Sequence, residues 1–99
     1  MSKTCIGGRL KLADGTPVPT SKGFRSEDTI YVSGQLKFDG EGDITEQTSH
    51  CLESIRGILE EGGMSMQDII KCTVWITDAK NFSAYNDAYG KFFPENPPA

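Results

Sequence analysis

The chain has 99 residues, 36% hydrophobic, 9% aromatic and 24% charged, with 11 Gly and 5 Pro. A chain of this size buries roughly 60–65% of its unfolded surface on folding, and this composition excludes a disordered, collagenous or coiled-coil polypeptide. Ten Lys and Arg against 14 Asp and Glu leave a formal charge of −4. The cations are scattered singly, which argues against a nucleic-acid surface built from clustered Lys and Arg.

The apolar runs Ile69-Ile70 and Val74-Trp75-Ile76 stop well short of the roughly 18 residues of a membrane helix, so no membrane partner is expected. The start, Met1-Ser2-Lys3-Thr4-Cys5, reaches Arg9 and Lys11 without the apolar stretch of a secretory signal, and a cytoplasmic location is expected. Cys5, Cys51 and Cys72 are an odd number without a CxxC pair. That pattern suits reduced thiols rather than a disulfide framework or a zinc site, and no metal ligands are expected.

Along the chain, the first 25 residues are rich in Gly, Pro, Ser and Thr, with turns at Gly7-Gly8 and Asp14-Gly15. Short strands are expected at residues 9–12 and 22–25. The polar Ser26-Glu27-Asp28 before Thr29-Ile30-Tyr31-Val32-Ser33 predicts a hairpin. Asp43 and Glu46 have the spacing of a helix-capping box, and Ile44, Cys51, Leu52, Ile55, Ile58 and Leu59 fall on one stripe. A helix over residues 43–61 follows, stopped by Gly62-Gly63.

Ser65 is placed to cap a short turn. In residues 69–77, Ile70, Cys72, Val74 and Ile76 alternate with Lys71, Thr73, Trp75 and Thr77, which predicts a strand. Strand, helix and strand in succession predict a right-handed parallel crossover. A second helix is expected at about residues 81–93, with Phe82, Tyr85, Tyr89 and Phe93 inward. The fold class is α+β, a hairpin–α–β–α unit with a mixed sheet covered by two helices on one face. Tyr31, Thr73 and Trp75 then lie on the uncovered face, where a subunit contact is expected.

Three residues after the hairpin and one on the second helix are candidates for a site. In Ser33-Gly34-Gln35 the glycine marks either a bulge or a close approach of another group to the backbone. Asn86 falls between Phe82 and Tyr89 on the stripe expected to be buried, where an amide needs partners: either structural ones or a ligand. His50, the single histidine, sits on the polar side of the first helix with no partner pattern for acid–base work. Cys51 and Cys72 have core parity and read as small buried hydrophobes rather than nucleophiles.

From about residue 22 to 99 the chain resembles the Rid family, also called the YjgF/YER057c/UK114 or L-PSP endoribonuclease family. The resemblance rests on Tyr31-Val32-Ser33-Gly34-Gln35, Gly42-Asp43-Ile44, Leu52-Glu53-Ser54-Ile55 and Leu59-Glu60-Glu61-Gly62-Gly63. It continues through Ile69-Ile70-Lys71-Cys72-Thr73-Val74, Phe82-Ser83-Ala84-Tyr85-Asn86 and Pro97-Pro98-Ala99. It implies one chorismate-mutase-like domain over residues 1–99, assembled as a homotrimer with clefts between subunits.

The resemblance further implies hydrolysis of small enamine or imine acids such as 2-aminoacrylate to a keto acid and ammonia, without metal or organic cofactor. Ser33, Gly34, Gln35 and Asn86 would border the substrate. A noncatalytic ligand-binding or regulatory module is the alternative, and a ribonuclease or translation inhibitor, disfavoured by charge, a third. The family's carboxylate-holding Arg directly after Pro-Pro-Ala and its water-orienting Glu on the final strand correspond to positions after Ala99. On sequence, the chain is therefore expected to be either a fragment or a degenerate member lacking the final strands.

Overall fold

The computed structural model describes residues 2–99. Its sheet has three antiparallel strands, β1 (Thr4–Lys11), β2 (Pro17–Ser26) and β3 (Thr29–Val32), in that spatial order. The β1–β2 turn closes where Thr16 N donates to Asp14 Oδ1 (2.9 Å) and Leu12 N to Thr16 O (2.8 Å). The β2–β3 turn has two residues, between the paired Ser26 and Thr29, with Glu27 at φ 56°. Arg25 Nε donates to the Glu27 carbonyl at 3.0 Å and stabilises that uncommon backbone. The expected hairpin is present, and its first neighbour β1 starts earlier than residues 9–12 because it pairs from Thr4↔Arg25 onward.

Helix α1 (Ile44–Glu61) begins at Asp43, whose side chain accepts from Glu46 N at 2.9 Å. Gln47 Nε2 adds a second clasp to the Gly42 carbonyl (2.9 Å). Its inner face buries Thr48, Leu52, Ile58 and Leu59. The helix lies very close to the sheet at Gly23, where a Cβ would stand 3.0 Å from the Ile58 Cγ2 and 3.2 Å from the Tyr31 carbonyl oxygen. At the other end Gly62 N returns to Ile58 O, and Arg25 Nη1 donates to Gly62 O at 2.6 Å. One arginine thereby ties the hairpin turn to the helix C-terminus, where cations are favoured.

Leu52, Leu59, Met66 and Phe93 form the buried centre, with Ile30 and Val32 of β3 packed against it. Ser65 opens the 3-10 turn Met66–Asp68, its N–H bonded to Asp68 Oδ2 at 2.9 Å. A second such turn, Ala79–Asn81, leads into α2 (Phe82–Gly90). The rings of Phe82, Tyr85, Tyr89 and Phe93 stack in a ladder with centroid spacings of 6.0, 5.4 and 4.9 Å. The α-helix proper ends at Gly90, before the expected Phe93, and the chain goes on in turns.

Residues 69–77 correct one expectation. The run is free of turns and bends as far as Ile76, yet it joins no strand ladder, so the mixed sheet with a parallel crossover is not formed. Its regular backbone partner among the described residues is Ala99: Cys72 N donates to Ala99 O (2.8 Å) and Ala99 N to Ile70 O (2.9 Å), the alternation of a parallel pair. Alternating sequence gives a strand its faces, but a ladder also requires a neighbour along its length.

Side-chain placement differs too. Ile70 is 85% exposed and Val74 also exposed, although both have the parity of Cys72 and Ile76, which are half-buried. Helix α2 packs against α1 and covers Cys72 through Tyr89, leaving Ile70 outside. The buried side of α2 centres on Tyr85 and Ala88, which puts Phe82 and Asn86 at its exposed margin. No helix among the described residues is long and apolar enough to cross a membrane.

Two outcomes test this packing. Leu59→Ala should cost about 2–5 kcal/mol in urea unfolding, while His50→Ala on the exposed face should stay within about 0.5 kcal/mol. Burial first, then the Cys72 side chain, raise the Tyr89 phenol above its ordinary 10.0. A raised acid binds its proton more tightly folded than unfolded, so this stability is complete below pH 10.0 and is lost as pH rises above it. Tyr89→Phe should flatten the decline in urea midpoint that sets in above about pH 10, and leave the midpoint's course below about pH 9 unchanged.

Candidate functional site

Just beyond β3 one backbone bond to β2 continues, and side chains take over the anchoring from there. Ser33 donates twice to the Lys22 carbonyl, from N and from Oγ, each at 3.0 Å. The Gln35 amide folds back on it, Nε2 donating to Ser33 O (3.2 Å) and Ser33 Oγ (3.3 Å). From α1, Cys51 Sγ donates to the Gln35 carbonyl at 3.4 Å. Burial raises the Cys51 thiol above its ordinary value, and a backbone hydrogen bond from Lys37 partly opposes that shift. A little further on, Lys37 Nζ grips Asp39 at 2.7 and 3.0 Å, and that contact, with the Glu41 N–H, holds the exposed Asp39 carboxyl below its ordinary value.

Gly34 sits between these anchors. It is exposed, its φ is outside the left-handed region, and a Cβ there would meet nothing within 4 Å. The β2–β3 register is unbroken from Ser26↔Thr29 to Gly23↔Val32, and β3 ends before Gly34. The bulge reading therefore finds no bulge. Neither backbone conformation nor packing within the subunit requires glycine here.

Two grooves flank α1. One, about 670 Å³, runs between α1 and β1 and is lined by Gln35, Leu36 and Phe38, with His50 on the helix. Arg9, Lys11 and Lys22 on its sheet side face Glu53 and Glu61 on the helix. The other, about 400 Å³, lies at the start of α1 between Asp43, Gln47, Trp75 and Asn81. Asn86 lines neither. Gln35 therefore borders a groove that Asn86 does not, and Asn86 is exposed rather than the buried amide expected from the stripe.

Tyr31 (67% exposed), Thr73 and Trp75 (90% exposed) are all open to solvent. His50 is exposed as well. Among the described residues no group of three or more His, Cys, Asp or Glu lies together as metal ligands. The Cys51 contact was not expected from sequence. Its position at the edge of the helical stripe was the available signal, since a half-buried thiol there can still reach a carbonyl. Leu36 and Phe38, two exposed apolar side chains on the segment after Gln35, were likewise not singled out.

Comparison with known proteins gives consistent matches. The family model described as Endoribonuclease L-PSP matches residues 16–99. A RutC family protein of Pyrococcus abyssi is 39% identical over 87 residues, covering 82% of this chain and 68% of the relative. Among solved structures, RidA from an Antarctic Psychrobacter is 29% identical with a TM-score of 0.82, over 97% of this chain and 80% of that one. Escherichia coli TdcF, solved with bound serine, is 28% identical with a TM-score of 0.81, over 96% and 80% of the two chains.

The thiol environments give a direct check. Cys5 is exposed, whereas Cys51 and Cys72 are half-buried. Iodoacetamide at neutral pH should modify Cys5 first, with Cys51 following only slowly, because burial disfavours its thiolate. Peptide mapping at increasing times reads the order.

Proposed function

The chain belongs to the endoribonuclease L-PSP family, the Rid or YjgF lineage, and on that premise we propose that residues 33–35 wall a cleft for a small enamine or imine acid, hydrolysed to a keto acid and ammonia. The observation that carries this reading is Gly34. An exposed glycine that neither conformation nor internal packing requires is explained by close approach of a group from outside the subunit. The serine bound in the related TdcF structure supports a small amino or keto acid as that group.

A second copy would complete the cleft. Tyr31, Thr73 and Trp75 are each exposed, as residues of a subunit contact would be in a free subunit, and assembly as a trimer, with Asn86 reaching the cleft, follows the family pattern. Three free cysteines fit a reducing compartment, and the cytoplasm is the location proposed. Trp75→Lys should shift the sedimentation coefficient toward the monomer without lowering the urea midpoint. An unchanged assembly would exclude Trp75 from the contact.

The second reading, binding without turnover, is favoured by Ser33. Its hydroxyl donates to the Lys22 carbonyl and accepts from Gln35, so it is held as a structural group rather than freed as a nucleophile. The test generates 2-aminoacrylate from serine with a pyridoxal-phosphate dehydratase and follows its decay. Acceleration by this protein, abolished in Gly34→Val with the melting temperature unchanged, marks the deaminase. Binding without acceleration marks the noncatalytic module, and neither result removes residues 33–35 from the site.

A further inference from the structure

We infer that the side chains of Cys51 and Gln35 are positioning residues that hold the Gly34 backbone in place for its ligand. The inference rests on the cleft reading above and adds to it Cys51, which need not touch the ligand, and a second role for the Gln35 side chain.

Gly34 has no side-chain packing of its own and lies outside the sheet, so nothing in its own structure fixes the direction of its peptide groups. Order must come from its flanks. On the N-terminal side Ser33 is bonded to β2 through the Lys22 carbonyl. On the C-terminal side no ladder is present, and two side-chain links take its place. The Gln35 amide reaches back across Gly34 to both oxygens of Ser33, closing a small loop around the glycine. The Gln35 carbonyl is in turn fastened to α1 by Cys51 Sγ.

Because Cys51 rides on the same helix as the buried Leu52, the glycine's position is referenced to the core. A peptide already oriented before binding loses little conformational entropy when a ligand docks on it, whereas a free glycine segment would lose more than any other. Cys51 is thus fitted to hold rather than to react: its thiol is half-buried and already donating.

The test compares Cys51→Ala, Cys51→Ser and Gln35→Ala with the parent protein. It measures amide hydrogen exchange at Gly34 and Gln35, and affinity for L-serine by titration calorimetry. Loss of either link should speed Gly34 exchange at least about fivefold and weaken serine binding by about five- to tenfold, with the melting temperature nearly unchanged. Cys51→Ser keeps a donor and should restore both. Gln35→Ala lies in an irregular segment and keeps the test valid if Cys51→Ala folds poorly.

Unchanged Gly34 exchange in both Cys51→Ala and Gln35→Ala overturns the inference. Equal loosening in Cys51→Ser and Cys51→Ala also overturns it, since shape rather than the hydrogen bond would then matter. Faster exchange in a protein whose parent form binds no serine supports the positioning role and counts against the cleft reading, so the two failures are distinguishable.

Discussion

Burial of one face of α1 sets the positions of everything else in this subunit. Leu52 and Leu59 meet Met66 and Phe93 beneath β3, and each fully buried side chain of this size stabilises by about 1.5–3 kcal/mol. The helix can lie that low because Gly23 offers no Cβ to the Ile58 methyl. Its C-terminus is then held by Arg25 from the hairpin, and its edge carries Cys51 to the Gln35 carbonyl. The candidate site depends on core packing through that chain of contacts, with α1 carrying both the buried leucines and the Cys51 link.

The opposite side of the molecule is governed by what is not covered. The two helices leave residues 69–77 only partly covered, and Trp75 and Ile70 stand largely in solvent. Their backbone is regular enough for Ala99 to pair with Ile70 and Cys72 in parallel fashion. Exposed aromatic and β-branched side chains on a run that joins no strand ladder among the described residues favour association, and the proposed cleft between copies would use that surface.

The sequence disclosed α1 almost residue by residue, because periodicity, the Asp43 cap and Gly62 agree, and cooperative local signals of that kind are rarely overridden. The β2–β3 hairpin was legible for the same reason. Residues 69–77 carried an equally clear alternation but no ladder, since pairing depends on distant segments that local pattern does not reveal. Asn86 was misplaced by about one helix position: a stripe drawn through Phe82 and Tyr89 ignores Ala88, the small residue that marks the truly buried line. Gly34 stood out in the sequence, but its exposed, unpacked geometry outside the β3 ladder did not. The thiol contact that restrains it was illegible, because Cys51 fits a hydrophobic stripe equally well whether or not its sulfur meets a carbonyl.

The central claim is that residues 33–35 and a second copy enclose one small acid. A crystal structure of the protein grown with pyruvate, the product of 2-aminoacrylate hydrolysis, tests it most directly. The account predicts the carboxylate or keto oxygen within about 3 Å of a backbone N–H of residues 33–35, with a side chain of a neighbouring copy on its other side. Pyruvate seated instead in the groove between α1 and β1, entirely within one subunit, would contradict it.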